Sequence, residues 1–339
     1  MKTLVLGDLH FMTSNILESE ALIERVEEFL DENRQIERVV LLGDVQHFHE
    51  KLYSTPFNNL CKFLNILREY CPVVILVGNH DMYYNEVFLT DDHCLNSFKN
   101  CDKITIVDKP IKIGTDIFMP YVYPGRMFEA LNTIKDWKSA SVIFAHQEVA
   151  GCKMGAIISV DGDIYPETGV PFLVSGHIHL HHRPQSNVYY PGSPLCHAFG
   201  ENAHPIIAVI DTQTLKIDEY KLKLPRKKLL YVNLEDFTEI EKPEDDQMQI
   251  KVFVKCTYDQ FKALKRTEHY KLLSSCGVKI TYKDSTLQPV ADEHKQIEAS
   301  NISDILHGMV DKSKDPVLTA VYERVVFGKK TKPEDIIFC

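Results

Sequence analysis

The stretch 73–81, VVILVGNHD, joins five consecutive aliphatic residues to a polar turn. A short apolar run that ends in glycine is typical of a buried strand. The same arrangement occurs near the N-terminus, where the run Thr3–Leu6 leads into Asp8, and again where Val39–Leu42 leads into Asp44. The sequence therefore predicts buried strands that are followed by polar side chains of the kinds found in catalytic and binding sites.

Alternating strands and helices are predicted over the first 80 residues, and strands predominate after about residue 104. Two segments, 17–30 and 57–67, repeat their apolar residues at helical spacing. Eight apolar runs predict strands at Thr3–Leu6, Val39–Leu42, Val73–Val77, Ile104–Val107, Ile117–Met119, Val142–Ala145, Phe172–Val174 and Ile206–Ile210. The pattern favours an α/β fold of two stacked sheets with helices outside.

A second region is predicted after Leu224, where a basic segment and an acidic loop precede a β-α-β pattern. The pattern consists of strand Gln249–Cys256, helix Tyr258–Ser274 and strand Val278–Tyr282. Basic residues on this helix could contact phosphates, although a solvated helix face explains each of them equally well. They are Lys262, Lys265, Arg266 and Lys271.

Two short apolar stripes, at 302–309 and 317–326, predict short helices that need a surface to pack on. We therefore expect three parts in the chain, over 1–224, 225–290 and 291–339.

The composition is that of a soluble globular protein, with 339 residues, 44% hydrophobic and 25% charged. The apolar runs are too short for a membrane span, and the N-terminal one is too short for a signal peptide. Nine cysteines without a C-x-x-C pair favour a reduced compartment. We expect an intracellular, cytoplasmic protein (host cytoplasm if viral). The net charge of −10 argues weakly against a passive phosphate binder.

Side chains that bind metals follow five of the predicted strands. They are Asp8, His10, Asp44, Asn79, His146, His177 and His179. Ligand sites gather at the carboxyl ends of parallel strands. The i, i+2 spacing within Asp8/His10 and within His177/His179 puts both members of a pair on one side of an extended chain. Carboxylate, amide and imidazole without thiolate suit manganese, iron or zinc. Seven ligands are too many for one catalytic ion and fit two ions that share a carboxylate.

The order D-x-H, GD, GNHD, H and GH-x-H over roughly residues 1–210 resembles the calcineurin-like metallophosphoesterase superfamily. The resemblance implies a four-layer α/β/β/α sandwich with a dinuclear site. By the family pattern, one ion is held by Asp8, His10, Asp44 and His179, and the other by Asp44, Asn79, His146 and His177. His80 is implied to act on the transition-state charge or to protonate the leaving oxygen.

The segment 43–49, GDVQHFH, lacks the arginine of the protein phosphatases, which carry GD-x-V-D-R-G. A histidine three residues after the bridging aspartate resembles the SbcD and meiotic-recombination-eleven nucleases, which makes His47 a catalytic candidate. His47 as a residue that only supports the metal site stays an alternative. The segment 190–194, YPGSP, is also typical of that nuclease group.

The nuclease resemblance implies a manganese-dependent exo- and endodeoxyribonuclease of double-strand-break repair and recombination, with magnesium, iron or zinc as other metals. It further implies a small α+β capping domain that touches DNA and C-terminal helices that bind an SbcC/Rad-type coiled-coil ATPase. Helix 57–70 and segment 87–98 are candidates for a homodimer contact, although core packing explains their apolar residues equally well. The alternatives are a small-molecule phosphodiesterase or phosphatase of the same superfamily and a non-catalytic scaffold.

Overall fold

The computed structural model of the chain describes residues 1–49, 51–155, 157–199, 205–243, 248–284, 310 and 322. The chain divides into one unit over Met1–Asp284 and a second over Ser285–Cys339. The apolar stripes predicted at 302–309 and 317–326 lie outside the described residues. The division into three parts at 224 and 290 stays a prediction.

Strands are the commonest regular elements of the first unit. In chain order they are β1 (Lys2–Leu6), β2 (Arg38–Leu41), β3 (Val73–Leu76), β4 (Ile104–Val107), β5 (Ile111–Ile113), β6 (Asp116–Phe118), β7 (Val142–His146), β8 (Lys153–Met154), β9 (Ile157–Ile158), β10 (Phe172–Gly176), β11 (His182–Gln185), β12 (Val188–Tyr190), β13 (Ile207–Asp211), β14 (Ile217–Tyr220), β15 (Arg226–Asn233), β16 (Met248–Cys256) and β17 (Lys279–Asp284). The helices are α1 (Ile16–Glu32), α2 (Ser54–Tyr70), α3 (Met127–Leu131), α4 (Tyr258–Leu264) and α5 (Glu268–Ser275). Within the described residues, no helix combines the length and the apolar character needed to cross a bilayer.

Two six-stranded sheets build the larger part of this unit. The first has the order β14-β13-β1-β2-β3-β4, and β1 to β4 run parallel. The second has the order β11-β12-β10-β7-β6-β5, and its four central strands run parallel. Because parallel strands end at the same edge, the residues that follow them are brought together.

The alternation of buried side chains along the strands explains how the layers stack. In β1, Leu4 and Leu6 pack with the helices α1 and α2, whereas Val5 packs between the two sheets. On the outside of the second sheet lie the short helix α3 and Trp137. The predicted four-layer α/β/β/α sandwich is confirmed, with a thin outer layer on that side.

A buried ion pair ties the two sheets together. Arg38 of β2 contacts Asp116 of β6 at 2.6 Å, and both side chains are at most 5% exposed. Replacing Arg38 with methionine is expected to lower the free energy of unfolding by about 3–5 kcal/mol, because the carboxylate stays buried without a counter-ion. Urea denaturation measures this loss.

The exposed pair of Arg25 with Glu28 provides the control. Arg25→Met is expected to lower the free energy of unfolding by at most about 1 kcal/mol, the worth of a surface ion pair. A loss of the same small size for Arg38→Met would contradict a structural role for the buried pair.

Residues 226–284 form a separate small sheet packed on two helices. Its strands β15, β16 and β17 are all parallel. The prediction missed β15, and its single helix over 258–274 is wrong: the helix is interrupted at 265–267. Thr267 ends the interruption, since its hydroxyl accepts a hydrogen bond from the Tyr270 amide at 3.3 Å and caps α5.

Candidate metal centre

The polar residues predicted to bind metal meet at the carboxyl ends of the central strands of both sheets. β1, β2 and β3 of the first sheet lead into Asp8, Asp44 and Asn79. The second sheet contributes His146 at the end of β7 and His177 directly after β10. His10 lies two residues after Asp8, and His179 lies two residues after His177. The structure therefore brings all seven predicted residues to one place.

Three of these residues have a left-handed backbone, which is uncommon outside glycine. The φ angles are 42° at His10, 49° at Asp44 and 78° at His177. Such a conformation costs of the order of 1–3 kcal/mol at each position and persists where the surroundings enforce it. Three of the seven non-glycine residues with positive φ in the described part of the chain are therefore predicted ligands, and backbone strain of this kind is common at functional sites.

The ligand atoms fall into two groups of three. In one group Asp8, His10 and His179 each offer an atom within 4.8 Å of the others, and the other group consists of Asp44, His146 and His177. The seventh residue, Asn79, joins the second group, because its Oδ1 lies 3.0 Å from His146 Nε2 and 2.9 Å from His177 Nδ1.

Asp44 lies between the two groups. Its Oδ2 is 3.5 Å from His10 Nε2 in the first group and 3.3 Å from His146 Nε2 in the second. Its Oδ1 accepts a hydrogen bond from the His80 amide at 2.8 Å, which orients the carboxylate. This is the position that a carboxylate shared by two ions requires.

A divalent cation fits the donors that the chain presents here. Asp8 is fully buried, and its Oδ1 accepts a hydrogen bond from the His177 amide at 2.8 Å. Its Oδ2 has no hydrogen-bond partner within the described part of the chain. A buried carboxylate oxygen left without a partner is costly, and a cation beside it removes the cost.

The electrostatics of the site also favour added positive charge. Burial lowers the pKa of His146, but the carboxylates of Asp44 and Asp8 outweigh it and raise this pKa to about 9. Burial lowers the pKa of His10 well below its ordinary value, which keeps that imidazole neutral and able to bind a cation. Without an ion, the buried carboxylates therefore draw a proton onto His146.

His47 and His80, the two predicted catalytic residues, lie together at the side of the first group. Their rings stack at 5.2 Å, and His80 Nδ1 donates to the His47 carbonyl at 2.7 Å. His47 Nδ1 is 3.2 Å from His10 Nδ1. His10, His47 and His80 also offer three nitrogen atoms within 4.8 Å of one another.

Three further residues lie at the site, and of these only Asp81, the last residue of the GNHD motif, belongs to a motif of the sequence. His197 lies in the loop after β12, its ring 4.9 Å from that of His10, and its Nε2 is 2.7 Å from Ser193 Oγ. Glu148 Oε2 is 3.9 Å from His177 Nε2. Asp81, fully buried, accepts hydrogen bonds from two backbone amides of the neighbouring turns.

The turn at Gly78 admits no side chain. A Cβ atom there would lie 2.2 Å from Asp44 Oδ1 and 2.3 Å from Asp44 N. Gly78→Ala is therefore expected to displace the Asp44 carboxylate and to weaken manganese binding by roughly 10–100-fold, the effect of disturbing the support of a metal ligand. Isothermal titration calorimetry measures this affinity.

Gly114→Ala is the matched control, because a Cβ at Gly114 meets no atom within 4 Å, although its φ of 62° makes the substitution strained. It is expected to lower stability by about 1–2 kcal/mol and to leave manganese affinity unchanged. Equal manganese affinities for wild type and Gly78→Ala would show that the turn tolerates a methyl group and that the turn does not fix the position of Asp44.

Comparison with known proteins adds the family context. A sequence profile described as Calcineurin-like phosphoesterase matches residues 1–181. Two viral proteins named as phosphoesterases are similar over most of the chain. The protein 078R of Invertebrate iridescent virus 3 is 37% identical over 294 residues, which cover 84% of each chain. The protein 244L of Invertebrate iridescent virus 6 is 38% identical over 280 residues, which cover 79% of this chain and 98% of that protein.

Among solved structures, that of a hypothetical protein from Pyrococcus horikoshii OT3 aligns with a TM-score of 0.35 and 13% identity, over 82% of this chain and 99% of its own.

Proposed function

Since this chain belongs to the calcineurin-like phosphoesterase family, we propose that it is a manganese-dependent DNA nuclease that hydrolyses phosphodiester bonds with two divalent ions. The observation that carries the proposal is the contact between residues 226–284 and the metal-site loop, where Lys227 Nζ donates to the His197 carbonyl at 3.2 Å. A small phosphoester needs no such second module, whereas a DNA strand extends beyond the ions and requires further contacts.

The seven residues form two sets of ligands that share Asp44. Asp8, His10, Asp44 and His179 would hold one ion, and Asp44, Asn79, His146 and His177 would hold the other. Bound ions supply an activated water and hold the oxygens of an in-line displacement at phosphorus. The absence of thiolate among these donors favours manganese over softer metals.

His80 and His47 act beside the ions as catalytic residues. Because His80 Nδ1 donates to the His47 carbonyl, Nε2 is the nitrogen left to hold a proton for the leaving oxygen or to face the transition-state charge. His47 orients His80 through this carbonyl, and its own Nδ1 lies near the ring of His10. His47 therefore contacts both His80, which acts on the leaving oxygen, and His10, which belongs to the first group of ligands.

The partners follow from the same proposal. The nuclease works on DNA in the cytoplasm, as a homodimer, with a coiled-coil ATPase bound through residues 291–339. The acidic balance of the whole chain is compatible with this, because two divalent ions add four positive charges that the formal count omits.

A nuclease assay tests the proposal. Purified protein is incubated with linear duplex and with circular single-stranded DNA, in manganese or in magnesium, with and without its ATPase partner, alongside Asp44→Asn. Manganese-dependent cleavage that disappears in the variant is the expected result. Intact DNA under all conditions, together with hydrolysis of bis(4-nitrophenyl) phosphate, would overturn it and make the protein a small-molecule phosphodiesterase.

A further inference from the structure

The three-stranded sheet of β15, β16 and β17 has one covered face and one outer face. On the covered face, Val252 and Val254 pack against Phe261 of α4 and Leu273 of α5. Because side chains alternate along a strand, the intervening residues point to the other side. These residues, which we call the outer face, are Leu229, Tyr231, Asn233, Lys251, Phe253, Lys255, Lys279, Thr281 and Lys283.

Strand register arranges the outer face in rows across the sheet. Tyr231, Phe253 and Thr281 are neighbours in the middle row. The rings of Tyr231 and Phe253 stack with their centroids 5.3 Å apart and their planes 12° apart, and Tyr231 is 66% exposed. The middle row therefore offers two parallel aromatic rings to a ligand, with the Lys251 ammonium 4.9 Å from the ring centroid of Phe253.

Lysines flank the aromatic row on both sides. Lys251 and Lys279 are neighbours in one adjacent row, and Lys255 and Lys283 are neighbours in the other. The nine positions of the outer face include four lysines and no acidic residue. In a chain with a net charge of −10, this face is a local positive surface that complements phosphates.

We propose that the outer face binds single-stranded DNA, with bases stacked on Tyr231 and Phe253 and phosphates beside the flanking lysines. The inference rests on the proposed nuclease function and names the part of the substrate that this module holds. Aromatic side chains stack on any unpaired base, and lysines that follow the backbone add affinity without sequence preference. A duplex keeps its bases stacked on each other, so it uses the lysines and not the rings.

The outer face begins beside the metal centre. Lys227, which precedes Leu229 on the same side of β15, contacts the carbonyl of His197. The Lys279 ammonium lies 5.6 Å from the ring centroid of Phe199, in the same loop as His197. Tyr231 lies four residues along β15 from Lys227, about 13 Å at the usual rise of a strand. A strand of DNA held on the outer face therefore leads toward the ligands.

Oligonucleotide binding tests the role of the rings. The full chain is titrated into fluorescein-labelled oligothymidine of 20 nucleotides, in EDTA so that nothing is cut, and anisotropy is recorded. Tyr231→Ala is expected to raise the Kd roughly 5- to 150-fold, which is the worth of one stacked base. Tyr231→Trp keeps a ring at this position and is expected to bind at least as tightly as wild type.

Tyr258→Ala is the matched control, since Tyr258 is 61% exposed and lies on α4, at the helix side of the same module. It is expected to leave the Kd unchanged. Lys255→Gln is expected to reduce the slope of log K against log salt by about 0.7, the value for one phosphate on a single strand. Lys262→Gln, on α4, is expected to leave that slope unchanged.

The outcomes separate the inference from the proposed function. Wild-type affinity in Tyr231→Ala, or a slope that changes with Lys262 and not with Lys255, would overturn the inference even if the protein cuts DNA. Tyr231-dependent binding by a protein that cuts no DNA would support DNA binding by the outer face and overturn the proposed nuclease function. Hydrolysis of bis(4-nitrophenyl) phosphate is expected to be unchanged in Tyr231→Ala, and a thermal melt verifies that each variant is folded.

Discussion

Replacing Asp44 with asparagine is expected to weaken the binding of the metal ions by more than about 100-fold, because residues that only support a ligand are already worth roughly 10–100-fold. The Asp44 carboxylate lies within 3.5 Å of nitrogen atoms from both ligand groups. The histidines His146 and His10 lower the pKa of this buried carboxyl, against the effect of burial, well below its ordinary value, so it is ionised. Asparagine keeps the shape but has one oxygen and no charge, so it cannot serve two ions.

Calorimetric titration with manganese measures affinity and stoichiometry, and hydrolysis of bis(4-nitrophenyl) phosphate measures activity. Asp81→Asn is the matched control, since Asp81 is also buried and accepts a hydrogen bond from the Gly78 amide at 3.0 Å. Its manganese affinity is expected to stay within about tenfold of wild type, the lower end for a supporting residue. Equal losses in the two variants would show that Asp44 only supports the site and is not the shared ligand.

The candidate ligands could be predicted from the sequence because each one lies next to a strand that the sequence also reveals. The run Val73–Val77 identifies a buried strand, and Asn79 follows it in the same nine residues. Parallel pairing of β1, β2 and β3 then brings Asp8, Asp44 and Asn79 to one edge without any further information.

His197 and Glu148 could not be predicted in this way, because their positions depend on contacts between distant segments. His197 reaches the site through a loop that Ser193 holds, where the Ser193 hydroxyl donates to the Asp8 carbonyl at 2.7 Å. Glu148 approaches His177 only because β7 and β10 are neighbours in the second sheet. No local pattern marks either residue.

The module of residues 226–284 was predicted less well than the larger sheets. β15 begins with three basic residues, and its apolar run Leu229–Val232 follows them directly. The basic residues led to the interpretation of this segment as a boundary, although the run after them has the composition of a strand. The interruption between α4 and α5 is marked in the sequence, because Thr267 followed by Glu268 is typical of a helix start. The apolar residues continue at helical spacing across this point, so the pattern predicts one helix instead of two. The basic residues expected to contact phosphates lie on α4, on α5 and in the interruption between them, whereas four other lysines lie on one face of the sheet.

With the proposed nuclease function, His80→Ala is expected to lower kcat for DNA cleavage by roughly 10²–10⁴-fold while manganese binding is retained, the range for removal of a general acid or base. His80 Nδ1 is held by the His47 carbonyl at 2.7 Å, and the His80 amide donates to Asp44 Oδ1. The ring is therefore placed beside the Asp44 carboxylate, and its Nδ1 is occupied by the bond to the His47 carbonyl. Calorimetry gives the manganese affinity, and single-turnover cleavage gives the rate.

The leaving group distinguishes the two roles open to His80. A DNA ester leaves as a poor alkoxide that needs a proton, whereas 4-nitrophenolate leaves without one. A proton donor predicts a larger loss in His80→Ala for DNA than for bis(4-nitrophenyl) phosphate, and equal losses indicate stabilisation of transition-state charge. His49→Ala is the control, because its ring stacks on His80 at 4.7 Å while its Nδ1 contacts the Met82 carbonyl. If His80→Ala loses the ions and His49→Ala keeps them, His80 is itself a ligand. The group formed by His10, His47 and His80 would also permit this.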